Sequence, residues 1–395
     1  MLNQISRAVG YQSTSPSPPA PLSPKPATPP PPPGPALVVP LEGGTMPLAR
    51  YFLENARSHL SEGEFYMDHS SGSLYVWPRA GWGGTSMVAV APIATSVVEL
   101  RGAHHHVFSN ITFRDAGYSS VGCWCGEAQE PDDATIKVIG ANDVIVEACR
   151  FLPGLTGYAV SAADAAAGLR VIGNAMLGLG QGGVILWGNL TAQGFPGNSS
   201  QPRNATISWN LLKDGGQILK HVAGAAFRAA SHSVVSHNHF ERLPRYGIEI
   251  DTFFPTQASL HNLVEHNVLI STAQETSDTG AIEMDGGLRP LLWSNHSLST
   301  ALERETRFNM NNTIRFNNVT RTLGASAMDG VHVCQHGDNR GSLPGKSTGC
   351  RGMTVAIYLD GGSGLGSGTS GIDVYGNVLD CSTAGALWIN GGGDV

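Results

Sequence analysis

The sequence predicts an all-β fold: a right-handed parallel β-helix solenoid with an N-terminal cap and a disordered Pro-rich N-terminal segment. Three observations predict it. A branched residue followed three positions later by Asn recurs along the chain, short apolar runs that open on Gly recur between turns, and 50 glycines accompany only 14% charged residues among 395. Many glycines mean many tight turns, and few charges at ordinary apolar content mean a packed chain rather than a disordered one.

Taken in order, residues 1–45 are the Pro-rich segment. Proline crowds positions 16–40 and includes the run Pro29–Pro33, a composition that favours extended polyproline II and cannot offset its ordering entropy by burial. A spacer is the plain reading, and an SH3-type or O-glycosylated ligand the sharper one. Residues 46–100 read as the cap. ARYFLENARSHL reads as a short helix; EFYMD and SLYVWP read as two strands joined at His69-Ser70-Ser71-Gly72, with Phe65, Tyr66, Tyr75 and Trp77 supplying a hairpin surface. A solenoid must hide its open end, which gives such a module its place before the first coil.

Coils fill 101–395. Val171-x-x-Asn174, Ile207-x-x-Asn210, Val235-x-x-Asn238, Val264-x-x-Asn267, Ile314-x-x-Asn317 and Val374-x-x-Asn377 share one frame, with Val146-x-x-Cys149 a degenerate copy and Ser109-Asn110-Ile111 an earlier one. After each Asn comes a short apolar step, a turn, and a Gly-apolar strand such as Gly183-Val184-Ile185-Leu186 or Gly247-Ile248-Glu249-Ile250. Alternating branched residues make short strands whose inward side chains fill a bore. The Asn is expected to take the left-handed turn between strands and to pair with the Asn of the next coil. Longer spacings absorb the segments 189–204, 288–308 and 325–353, and long loops on one face are where solenoids place binding function. The last residues, Ala386 to Val395, fall inside a coil, so the native protein is expected to continue beyond them.

A net charge of −7 without any Lys/Arg run leaves no electrostatic footprint for nucleic acid. No apolar stretch approaches the ~18 residues of a membrane span. The first residues lack the apolar core of a signal peptide. Seven Asn-x-Ser/Thr sequons (Asn110, Asn189, Asn198, Asn204, Asn295, Asn311 and Asn318), six cysteines and the Pro-rich stalk nevertheless point to an extracellular or cell-wall protein. Cys334 and Cys350 bracket an inserted segment and are the expected disulfide. Cys149 and Cys381 occupy coil positions and read as buried core. Cys123-Trp124-Cys125 lacks a second ligand pair, and His104-His105-His106 reads as loop polarity, so neither a metal nor a cofactor is expected.

The densest polar cluster runs from Gln274 to Asp285, and a later coil returns with Ala356-Ile357-Tyr358-Leu359-Asp360. Acids at equivalent rungs of adjacent coils would face each other across roughly 5–10 Å, the spacing that glycoside hydrolysis needs for one carboxylic acid and one carboxylate. Like charges so close would drive one pKa up and sort acid from base. The pair taken as catalytic is Asp278 and Asp360. Glu275, Glu283, Asp285, Arg245, Arg289 and Tyr358 are the candidate substrate-binding residues, and Trp187, Trp209, Trp293 and Tyr246 could stack on sugar rings or simply pack. The plain alternative for Asp278 is a turn residue accepting hydrogen bonds.

The segment LARYFLENARSHLSEGEFYMDHSSGSLYVWP, the motifs ETSDTGAI (Glu275–Ile282) and AIYLDGGSG (Ala356–Gly364), and VYGNV (Val374–Val378) resemble signatures of right-handed β-helix proteins of the pectate-lyase-like superfamily, most specifically glycoside hydrolase family 141. The resemblance implies hydrolysis of a cell-wall or extracellular polysaccharide, with Asp278 and Asp360 matching the two active-site acids. This chain departs from the family at Glu241 and Ile270, where His is usual, at Glu283, where Tyr is usual, and at Gly361, where a second Asp is usual. Two other readings stay open: a glycan-binding β-helix without catalysis, and a polysaccharide lyase or epimerase. The absence of Lys around the acidic cluster, with only Lys213 and Lys220 in the half of the helix before it, argues against lyase chemistry.

Overall fold

In the computed structural model the residues described are 55–81, 90, 92–117, 134–188, 201–252, 259–276, 279–286, 309–324, 354–360 and 369–390. The chain divides into two units, Met1–Ala89 and Val90–Val395. The Pro-rich segment lies outside the described residues.

In the first unit, strands Phe65–Asp68 and Ser73–Val76 pair antiparallel, with Tyr66 opposite Tyr75. The Asp68 carboxylate accepts from the Ser70 and Ser71 hydroxyls at 2.6 and 2.8 Å and so fixes the turn. Asn55 brackets the hairpin, donating to the Met67 carbonyl at 3.1 Å and accepting from its N–H at 2.9 Å. Of the expected helix, the described part is a single 3-10 turn, Arg57–His59.

The second unit is a right-handed parallel β-helix. Among the described residues, two eight-stranded sheets and one nine-stranded sheet run its length, all parallel, with a three-stranded strip beside them. One coil shows the plan. Val234–Ser236 lies in the first short-strand sheet, His239–Glu241 in the second, and Tyr246–Thr252 in the long-strand sheet. The long-strand sheet already includes Val98–Arg101, which pairs with Ala134–Ile139, so the expected boundary at residue 100 falls inside a strand of the solenoid.

Register explains the core. Every step from coil to coil aligns residues in columns, and the inward columns are apolar: Val146, Val171, Ile207, Val235, Val264 and Ile314 stack in one, all at most 1% exposed. Burying a side chain of this size contributes about 1.5–3 kcal/mol. The Gly that opens a long strand is a packing requirement. A Cβ on Gly247 would stand 2.3 Å from the Leu269 side chain, and one on Gly224 would stand 2.7 Å from the Phe240 ring.

The asparagines form one continuous ladder. Asn174 Nδ2 donates to Asn210 Oδ1 at 2.9 Å, Asn210 to Asn238 at 3.0 Å, Asn238 to Asn267 at 3.0 Å, Asn267 to Asn317 at 3.0 Å and Asn317 to Asn377 at 2.9 Å. Each Oδ1 also accepts the backbone N–H of the preceding rung, and Cys149 opens the series by donating its N–H to Asn174 Oδ1 at 2.9 Å. One expectation is corrected. The left-handed residue is not the Asn but the one before it: Trp209 (φ 60°), His237 (57°), His266 (56°) and Phe316 (55°). The Asn stays in ordinary backbone space because its side chain must point into the coil to bridge rungs, and Asn110, at φ 57°, belongs to the left-handed series rather than to the ladder. The displaced rings stack outside: Trp209 on His237 at 4.4 Å, His237 on His266 at 5.0 Å and His266 on Phe316 at 5.2 Å between centroids. A second ladder, Ser233–Asn262–Asn312, seals another corner. Cys149 is buried as expected, but Cys381 is exposed, because it takes a left-handed turn (φ 56°) that carries it out of the bore.

Candidate active site

Alternation along the long strands turns every second residue out of the bore, and parallel register lines these up. One outward column reads Ala226, Glu249, Glu283, Tyr358, Trp388; the other reads Trp187, Arg228, Asp251, Asp285, Asp360, Asn390. Neighbouring positions in a column are about 4.8 Å apart. Over the earlier coils this outer face is covered. Tyr158, Ile185, Trp187, Ala223, Ala226 and Tyr246 form a second buried apolar cluster on it. Asp285, Asp360 and Trp388 are half-buried, so the acids emerge where that cover thins.

Beneath the cover lies a charged group. Arg228 donates through one Nη to both oxygens of Glu249 at 3.1 and 3.2 Å, and both side chains are 3% exposed. The guanidinium also lies over the Trp187 ring at 5.2 Å. Burial opposes the Arg228 charge, but Glu249 and Asp251 more than offset it, so the group stays charged. His221 shares a hydrogen bond with the Tyr246 hydroxyl at 3.1 Å. Burial, with Arg245 and Arg228 nearby, pushes its pKa down to about 2. The imidazole is therefore neutral, and its 3.9 Å approach to Glu249 is a polar contact rather than an ion pair.

The acids differ by depth. Burial pushes Glu283 up to about 8, and Asp285 adds to the rise against the pull of Arg245. Its Oε2 accepts the Gly280 N–H at 2.7 Å, so a carboxylic acid neutral at pH 7 is held in place. Asp251 is raised well above the carboxylate range by burial, then by Asp285 and Glu249, and its Oδ1 has no hydrogen-bond partner among the described residues. Asp285 and Asp360 are register partners further along the column, both half-buried. A neutral acid beside accessible carboxylates is the pairing that general acid–base catalysis at a glycosidic bond requires.

Several sequence-derived assignments can now be placed. Asp278, Arg289, Trp293 and the pair Cys334 and Cys350 lie outside the described residues. Asp360 ends its strand, and the residue in register with it is Asp285; Thr279 pairs with Thr354 at the other end of the same two strands. Glu275 pairs with Lys220 at 3.1 Å. A lysine therefore does reach the acidic cluster, and the sequence-based argument against lyase chemistry fails because folding brings together residues far apart in the chain. Arg245 is half-buried with its guanidinium over the Tyr246 ring at 4.6 Å, and it acts on Glu283 electrostatically. Tyr358 is only 2% exposed and meets Trp388 edge-on at 6.4 Å. Trp187 and Tyr246 are packing residues, and Trp209 lies exposed in the outer stack.

Sequence reasoning missed Arg228, His221, Asp251 and the pairing of Asp285 with Asp360. The signal was there: Ile248-Glu249-Ile250-Asp251, Ile282-Glu283-Met284-Asp285 and Ile357-Tyr358-Leu359-Asp360 are three copies of one frame. Among the described residues, no group of His, Cys, Asp or Glu is arranged to hold a metal ion. No described helix is long and apolar enough to cross a membrane.

No protein-family model matches the chain, and no curated protein matches it. Solved structures do. A glycoside hydrolase superposes with TM-score 0.56 at 16% identity, over 86% of this chain and 56% of that one. The chain thus spans little more than half the length of that protein. The A-module of the Azotobacter vinelandii mannuronan C-5 epimerase AlgE6 gives TM-score 0.38 at 10% identity over 66% and 57% of the two chains. A tailspike protein mutant of E. coli bacteriophage HK620 in complex with a pentasaccharide gives 0.40 at 10% identity over 73% and 42%. At these identities the likeness is one of fold.

Proposed function

We propose that this protein is a carbohydrate-active β-helix, a glycoside hydrolase acting on a cell-wall or other extracellular polysaccharide, and that it works outside the cytosol as a glycoprotein. The observation that carries the reading is the outward pair of columns. A buried, neutral Glu283 stands beside the half-buried, register-paired Asp285 and Asp360. Glu283 protonates the leaving oxygen, and Asp360, with Asp285 beside it, takes the proton of the attacking water. Strand rise and spacing put Glu283 roughly 8 Å from Asp360, within the ~6.5–9.5 Å of inverting enzymes. Trp388 offers a half-buried ring for a sugar face. Asp278, which the family resemblance pairs with Asp360, is the alternative proton donor, and Arg289 and Glu275 are further substrate contacts in that arrangement. Among the described residues, the exposed sequon residues Asn110, Asn204, Asn311 and Asn318 lie off the long-strand sheet.

The test is a glycan-panel screen of the protein, scoring sugar release by the wild type, Asp360→Asn, Glu283→Gln and Asp278→Asn. Loss in Asp360→Asn and Glu283→Gln with folding intact supports the assignment; loss in Asp278→Asn with Glu283→Gln active moves the acid to Asp278. Release unaffected by any of the three overturns it. A polysaccharide lyase is the second reading, favoured by the ion pair of Lys220 with Glu275, and an unsaturated, ultraviolet-absorbing product would identify it.

A further inference from the structure

The outward column that carries Asp285 and Asp360 runs through deeper residues first, Arg228 and Asp251. Asp251 is in register with Arg228 on one side and Asp285 on the other. It is 2% exposed, and its Oδ1 has no hydrogen-bond partner among the described residues. The groups that face it are Glu249 on its own strand, Arg228 on the preceding coil, and Asp285 and Glu283 on the following one. Arg228, in register with Asp251, already donates to both oxygens of Glu249. Arg245 acts on Glu283, and His221 is neutral. Among the described residues, then, the deep carboxyl of Asp251 stands between carboxyls on three sides, and the guanidinium in register with it is bound to Glu249. Ionising an acid buried that deeply is costly, and proteins avoid the cost by keeping the proton on it.

We propose that Asp251 is a positioning residue: it keeps its proton and donates its O–H to the Asp285 carboxylate, holding that group ionised and oriented beside Asp360. A carboxylic acid that stays neutral can donate where a carboxylate can only repel. The deep end of the column then orders the shallow end, and the reacting face carries charge only where substrate reaches it. The catalytic meaning of this arrangement rests on the glycosidase reading above, but the protonation and the hydrogen bond do not.

The experiment therefore needs no substrate. Full-length protein labelled at the Asp side-chain carboxyl carbon is titrated by NMR, with resonances assigned through Asp251→Asn and Asp285→Asn. The expected result is an Asp251 carboxyl still protonated at pH 7. In Asp251→Ala, which removes the donor, the Asp285 titration moves up by about one unit, a tenfold change in its ionisation constant; in Asp251→Asn, whose amide still donates, it stays near the wild-type value. An ionised Asp251 at pH 7, or an Asp285 titration that moves down in Asp251→Ala because a neighbouring anion has been removed, overturns the proposal. If Asp251→Ala fails to fold, the protonation state in the wild type and the Asn variant still decides. With an active substrate in hand, the acid limb of kcat/KM follows Asp285 upward in Asp251→Ala and is restored in Asp251→Asn. Sugar release that does not depend on Asp285 or Asp360 would remove the glycosidase reading and leave the carboxyl titration to stand or fall by itself.

Discussion

Asn238→Ala should be one of the most destabilising small substitutions in the solenoid. The Asn238 amide makes four hydrogen bonds: Nδ2 donates to the Ile207 carbonyl at 2.8 Å and to Asn267 Oδ1 at 3.0 Å, while Oδ1 accepts the Asn210 N–H and Nδ2 at 3.0 Å each. Alanine leaves the Asn210 N–H and one proton of the Asn210 amide without their partners, while the Ile207 carbonyl loses the bond from Nδ2 but stays in the parallel ladder with Val234–Ser236. Asn267 Oδ1 keeps its bond from the Asn238 backbone N–H at 3.0 Å, so it is not orphaned. Each buried, unsatisfied group costs about 1–3 kcal/mol, and partial relaxation brings two of them to roughly 3 kcal/mol. Asn377 makes the same kind of contacts but is partly exposed, so water replaces the lost partners and Asn377→Ala should cost about 1 kcal/mol. Equilibrium urea unfolding followed by far-ultraviolet circular dichroism measures both. Hydrogen exchange on Thr206–Ser208 and Val234–Ser236 locates the opened rung. A loss under 1 kcal/mol for Asn238→Ala, or equal losses at the two positions, would refute the satisfaction argument.

Other expectations concern charge. Arg228→Met should destabilise by about 3–5 kcal/mol in thermal or urea unfolding, because it leaves Glu249 buried without its ion pair; adding Glu249→Gln should recover part of the loss. Glu283 has a folded-state pKa of about 8 against 4.5 unfolded, so the folded state holds the extra proton between those values. Wild-type stability should therefore be fullest below pH ~4.5 as far as this group is concerned and fall as pH rises toward ~8, and Glu283→Gln should flatten that slope in unfolding midpoints measured across the range. Asp360→Asn and Asp285→Asn should each lower glycan hydrolysis by about 10²–10⁴-fold in a reducing-sugar assay while the unfolding midpoint holds.

The bore was legible in the amino-acid sequence because periodicity alone specifies it. Asn174, Asn210, Asn238, Asn267, Asn317 and Asn377 stand where a repeat frame puts them, and the residues three before them fill one inward column. The left-handed turn was misassigned because Asn tolerates that conformation and is the obvious candidate, whereas the structure gives it to whatever precedes the Asn, even Trp209 and Phe316, and keeps the amide for bridging. The site was harder. Its chemistry lies in which acids are neighbours across coils, and that depends on register between segments separated by insertions of unequal length. Lys220 beside Glu275 shows the same limit, since nothing local in either segment announces the other.

The ladder bonds carry a further lesson about contour length. Asn238 and Asn267 are 29 residues apart, and Asn317 and Asn377 are 60 apart, yet the amide bridges measure 3.0 and 2.9 Å. The rung spacing is indifferent to how much chain leaves and returns between two rungs. A protein built this way can rewrite the segments between its rungs, lengthening, trimming or exchanging them, while the pitch stays constant. Recognition and scaffold are thereby free to change at separate rates, and a graft between two asparagines is the natural unit for redirecting what this surface binds.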